Sequence, residues 1–231
     1  MSSKISSGTA VIDELLQGGY ETDALTTMYG PAGCGKTNLA LLAAIAVVRL
    51  GKNVIYIDTE GGFSIERLKQ LCADSKKILE HIIFLKPTSF EEQKESLDKL
   101  AKLLNSKIGL VIVDSMTMLY RLERSMIGEE GHSFNQSLGL QLRSLNQIVR
   151  LQNIPVIITS QVYANFEGEG IKLVGGDMLK YASKCLLEIQ SFYAGKRKII
   201  IRKHRSIAGE KEALFEIVNG GIQQWKQKDL A

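Results

Sequence analysis

The chain has 231 residues, 45% of them hydrophobic and 23% charged, with a formal net charge of +4. That size and balance suit a globular, soluble chain with one proper core, and the longest apolar runs, such as LALLAAIAVV (39–48), fall well short of the ~20 residues that cross a bilayer. Cys34, Cys72 and Cys185 are scattered without CxxC spacing, so neither a disulfide framework nor a zinc site is implied, and the N-terminus lacks a secretory or transit pattern, which makes the expected location intracellular.

In chain order, short apolar runs rich in β-branched residues alternate with helical patterns. The first, ALTTMY (24–29), leads into GPAGCGKT, Gly30 to Thr37, which satisfies G-x-x-x-x-G-K-[ST] between a strand and a helix. Gly33 and Gly35 let the backbone turn tightly, so that N–H groups and the helix N-terminus face a phosphate chain. Lys36 becomes the cation for the β- and γ-phosphates, and Thr37 the hydroxyl for Mg²⁺. The candidate nucleotide-binding residues are Gly30, Pro31, Ala32, Gly33, Cys34, Gly35, Lys36, Thr37 and Asn38. The bland alternative is a glycine-rich turn with an exposed lysine. For Cys34, two readings compete: an activated thiol at a helix N-terminus, or a small filler.

The run NVIYID (53–58) delivers Asp58, Thr59 and Glu60 to a second strand end, followed by Gly61 and Gly62. A carboxylate there can polarise water near a terminal phosphate, or it is a solvated loop acid. After HIIFL (81–85), Ser89 and Glu92 have capping-box spacing, and Leu97, Leu100, Ala101 and Leu104 mark one helical face. In GLVIVD (109–114), four apolar residues carry Asp114 to the carboxyl end of a buried strand, beside the phosphate loop in a sheet of this kind. Asp114 is either a second anchor for the metal or a cap residue. Phe134, Leu138, Leu142, Leu145 and Val149 trace another helix; PVIITS (155–160), CLLEI (185–189), KIIIRK (198–203) and ALFEIV (213–218) follow as strands. Uniformly apolar strands separated by helices predict one α/β domain over 1–231: a mainly parallel twisted sheet with helices on both faces, its closely spaced last three strands forming an antiparallel extension.

The stretch KRKIIIRKHR holds six bases, Lys196, Arg197, Lys198, Arg202, Lys203 and Arg205, together with His204. Without them the rest of the chain is net negative. The isoleucines anchor the centre of a strand and the bases cluster at its two ends, which suits a nucleic-acid backbone; the competing reading is an edge strand protected from aggregation by charge.

Several motifs in one order resemble a known family. SGTAVIDELLQGGYET (7–22), the phosphate loop, DTEGGFSIERL (58–68), LVIVDSMTMLYR (110–121), IPVIITSQV (154–162), GGDMLKYASKCLLEI (175–189) and EALFEIVNGGI (212–222) are similar to RecA/RadA recombinase-like P-loop ATPases, and most closely to their archaeal RadB branch. The resemblance implies ATP and Mg²⁺ as cofactors, Glu60 as general base, Arg67 stacked on adenine, and Gln161 as the sensor of the γ-phosphate. A clock-type RecA-fold signalling ATPase is the nearest competitor, but it typically has two adjacent glutamates where this chain has Thr59 and Glu60.

There are departures. Only 29 residues precede Gly30, too few for the family's N-terminal helix-hairpin-helix domain and docking linker. The segment 163–176, where a second DNA loop is expected, holds Glu167 and Glu169 against Lys172, and His204 and Gly209 align with the family's inter-subunit aspartate and proline. The expected protein is an ATP-binding accessory factor in DNA repair and homologous recombination. It would bind DNA, hydrolyse ATP slowly, modulate a RadA-type recombinase and form dimers or small assemblies instead of long filaments. The rival from another class is a nucleotide-dependent protein-interaction module.

Overall fold

The computed structural model describes residues 3–126, 131–164 and 171–225. Strands β1 (Lys4–Ile5) and β2 (Tyr20–Glu21) pair around helix α1 (Ala10–Leu15). There follow β3 (Leu25–Tyr29), α2 (Lys36–Arg49), β4 (Asn53–Asp58), α3 (Ile65–Leu71), α4 (Ser75–Glu80), β5 (Ile82–Leu85), α5 (Phe90–Leu103) and β6 (Ile108–Asp114). The second half contains α6 (Met118–Met126), α7 (Gly131–Gln152), β7 (Val156–Ser160), the hairpin β8 (Val162–Ala164) and β9 (Ile171–Leu173), α8 (Gly176–Ala182), β10 (Cys185–Ser191), β11 (Arg197–His204), β12 (Lys211–Val218) and β13 (Gly221–Gln224).

One nine-stranded sheet runs in the order β13-β12-β11-β10-β3-β7-β6-β4-β5. From β10 to β5 the strands are parallel, and from β10 to β13 each neighbour is antiparallel. The strands read as unbroken apolar runs because both faces are covered. In β6, Leu110 and Ile112 join the cluster packed under α1 and α2, while Val111 and Val113 join the cluster under α5, α7 and α8. Helix α5 starts where its cap is expected: the Ser89 hydroxyl accepts from the Glu92 N–H at 3.1 Å. The Glu92 carboxylate, however, takes the N–H and hydroxyl of Thr88 at 2.7 and 2.8 Å, so the reciprocal arm of the box reaches one residue further back.

The antiparallel extension differs from expectation in three respects. Strand β10 is a parallel partner of β3, so the extension consists of β11, β12 and an additional strand, β13. Strand β11 lies between β10 and β12, which overturns the edge-strand alternative for the basic stretch. No residue of β10–β13 joins the second apolar cluster, and that face carries the ion pairs Lys198–Glu212 at 3.1 Å and Arg202–Glu188 at 2.7 Å. Beyond β13, the Trp225 N–H donates to the Leu214 carbonyl at 2.9 Å, its ring lies 6.1 Å from that of Phe192, and the Lys196 ammonium sits over it.

Register fixes what meets at the carboxyl ends. Tyr29 pairs with Ser160 and Asp58 with Asp114, so the loops leaving β3, β7, β6 and β4 emerge level with one another.

Candidate nucleotide-binding site

The loop after β3 closes against its own sheet. A Cβ on Gly30 would stand 2.1 Å from the Ile189 carbonyl oxygen, and one on Gly35, at φ +108°, 2.8 Å from Ile217 Cδ1. Both positions therefore require glycine, one for close approach and the other also for its left-handed backbone. Lys36 is buried, with its ammonium donating at 2.9 Å to the carbonyls of both Gly30 and Pro31. Cys34 is buried beneath the loop, and burial pushes its thiol pKa up against the opposing charge of Lys36. Burial is the property that the filler reading expects.

Asp114 is buried, and its carboxylate accepts from the Tyr56 hydroxyl at 2.8 Å and the Thr159 hydroxyl at 2.5 Å. Burial, with Asp114 beside it, raises the Tyr56 pKa well above its ordinary value, so that phenol stays a donor. Each carboxylate oxygen keeps acceptor capacity beyond one hydrogen bond. Asp58 is occupied otherwise, accepting the N–H groups of Gly62 and Phe63 at 3.0 and 3.2 Å and so shaping the turn after β4. Thr59 pins that turn to the end of β6: its N–H donates to the Asp114 carbonyl at 2.9 Å, and its hydroxyl both donates to the Ser115 carbonyl and accepts from the Ser115 N–H at 2.8 Å. These ties leave Glu60 exposed beyond the pin, where its carboxylate accepts from the Gln161 amide at 2.9 Å.

Arg67 is held edge-on. It donates to Asn38 Oδ1 at 2.7 Å and to the carbonyls of Val218, Asn219 and Gly221 at 2.8, 3.0 and 3.3 Å, so the turn between β12 and β13 fixes the guanidinium plane. Burial draws its pKa down, but it remains a cation. Hydrogen bonds at the edges leave the faces of a guanidinium to stack.

The residues fit an anionic nucleotide. Lys36 has no carboxylate partner among the described residues, and Asn38 Nδ2 and Arg197 Nε are buried donors without an acceptor. No cluster of three acidic, histidine or cysteine side chains that could hold a metal by itself occurs among the described residues. Mg²⁺ held through one carboxylate, one hydroxyl and phosphate oxygens suits such a sparse donor set.

The bases in and flanking β11 are largely committed. Lys196 pairs with Glu216, Lys198 with Glu212, Arg202 with Glu188 and Glu210, and Arg205 with Glu21 and Asp23. The Lys203 ammonium caps α8 by donating to the Lys180 carbonyl at 2.6 Å, and His204 Nδ1 accepts from the Ser206 N–H at 3.1 Å, with burial lowering its pKa. Arg197 points the other way, to the phosphate loop, and donates to the Gly33 carbonyl at 3.4 Å. Sequence reasoning missed this contact, as it missed Tyr56 and Thr159 as donors to Asp114. Glu167 and Glu169 lie outside the described residues.

A parallel sheet with a phosphate loop after a central strand, buried Asp114 two strands away and a Glu60–Gln161 pair at its carboxyl edge define a RecA-like P-loop core. The family model described as Rad51 matches residues 2–225, and the chain belongs to that family. The DNA repair and recombination protein RadB of Methanococcus maripaludis (strain C5) is 40% identical over 92% of this chain and 97% of its own length. The RadB protein of Methanocaldococcus jannaschii is also 40% identical, over 92% and 99%. The crystal structure of the RadB recombinase superposes with a TM-score of 0.81 at 36% identity, covering 96% of this chain and 100% of that one.

Proposed function

We propose that this chain is an ATP-binding DNA repair and recombination protein that binds DNA, hydrolyses ATP weakly and modulates a RadA-type recombinase, alone or as a dimer or small assembly. The observation that carries the nucleotide reading is the hydrogen bond between Glu60 and Gln161 beside a phosphate loop with a buried lysine. In that arrangement Lys36 and Thr37 bind and orient the phosphates, and Asp114 with Thr37 would hold Mg²⁺, which when bound would supply charge neutralisation at the phosphoryl group. Glu60 takes a proton from the attacking water, and the Gln161 amide keeps its carboxylate in place. The clock-type alternative is not favoured: Thr59 is the pin between β4 and β6, a role that a glutamate at this position would not fill.

The DNA reading draws support from the RadB relatives and from the basic strand, although most of that strand's cations already face carboxylates. The first test is nucleotide binding. Lys36→Ala removes the ammonium at the loop mouth and is expected to weaken ATP binding at least tenfold by calorimetry, as befits loss of a charged hydrogen-bonding group. Unchanged affinity would remove the phosphate loop from the account.

A further inference from the structure

We propose that Arg197 is a second cationic contact for the phosphate chain of the bound nucleotide, supplied by β11 of the same chain. This rests on the nucleotide-binding reading. Position is the first ground. The guanidinium donates to the Gly33 carbonyl at 3.4 Å, and Arg197 Cδ lies 3.9 Å from where a Cβ on Gly35 would stand, so the side chain runs along the phosphate loop. Strand β11 reaches the loop because Arg197 lies on the same face as Ile199 and Ile201, which pack in the cluster under α2.

The second ground is an unfilled donor. Arg197 Nε is buried without a hydrogen-bond partner, while another of its N–H groups goes to the Gly195 carbonyl. A buried orphan donor calls for a missing acceptor, and phosphate oxygens match the fork of a guanidinium.

The third ground is charge. Lys196, Lys198, Arg202 and Arg205 each have a carboxylate; half-buried Arg197 has none among the described residues. The local fold thus neutralises the bases around it and leaves this one uncompensated beside an anion-binding loop. Lys36 lies against the carbonyls of Gly30 and Pro31 and Arg197 against that of Gly33, so two cations of different shape flank one cradle.

A strut that merely braced the loop would make the same contacts, and the test separates the two. Arg197→Gln places an amide donor where Nε lies, short of the Gly33 carbonyl, and removes the charge; Arg197→Lys keeps the charge and removes the fork. Affinities for ATP, ADP and AMP are measured by calorimetry on both variants, on the wild type and on Lys36→Ala. Expected for Arg197→Gln is a loss that grows with the number of phosphates, about tenfold or more for ATP and less for ADP, with Arg197→Lys recovering most of the preference for ATP. An equal loss for ATP and ADP, or no loss, while Lys36→Ala still weakens ATP binding about tenfold or more, would overturn the role of Arg197 and leave the nucleotide reading standing. A wild-type protein that bound no ATP would overturn both.

Discussion

Glu60 and Gln161 are separated by 101 positions in the chain and by 2.9 Å in space. The sequence placed each at a strand end, and the family resemblance assigned their chemistry; neither showed that they touch. That contact depends on the level ends of β4, β6 and β7, which follow from register, and register is set by which apolar faces pack. Glu60→Gln keeps the shape and can still accept from Gln161, but it cannot take a proton. ATP binding is therefore expected to survive while turnover falls by ~10²-fold or more, read in a steady-state phosphate-release assay. Equal turnover in the two proteins would take the general-base role from Glu60. The strand–loop–helix form of the glycine-rich loop was legible, because it is written in contiguous residues. Arg67 was legible only by resemblance, since the carbonyls that orient it come from a turn about 150 positions away.

Strand β11 shows what a local pattern leaves out. Its composition announces positive charge; the carboxylate partners of its bases and of the flanking Lys196 and Arg205 are dispersed over Glu21, Asp23, Glu188, Glu210, Glu212 and Glu216, which no spacing rule connects to it. Arg205 illustrates the cost of treating these bases as free. It donates to Glu21 at 2.7 Å, and the Glu21 side chain is only 4% exposed. Removing one partner of such a pair leaves a buried charge uncompensated, so Arg205→Ala is expected to lower stability by ~3 kcal/mol in urea unfolding. Glu21→Gln in the same chain should return part of that loss, because the uncompensated charge disappears with its cause. A single substitution without effect would mean that solvent already screens Glu21. The core around β6 and α7 was by contrast readable, β6 from its unbroken apolar run and α7 from its helical periodicity.

For the molecule as a whole, the scarcity of unpaired cations on β11 bears on how DNA is held. A strand whose bases were all free would give steep salt dependence; one in which most already face acids exchanges fewer counterions. Lys203 is the base of the carboxyl-end cluster that lacks a carboxylate among the described residues, its ammonium resting on the Lys180 carbonyl. Lys203→Ala is expected to weaken binding to unrelated DNA sequences equally and to flatten log affinity against log salt by ~0.7 for single strands or ~0.9 for duplex. An unchanged slope would place the DNA contact elsewhere on the molecule. Arg67 connects the phosphate loop's surroundings to the far end of the sheet by a short route: it grips the turn between β12 and β13, and β13 leads directly to Trp225. That indole is the sole tryptophan of the chain, with a phenyl ring beside it and an ammonium over its face. The protein therefore carries its own optical reporter, and a ligand that draws Arg67 away from the turn will register as a change in ultraviolet emission without any added dye.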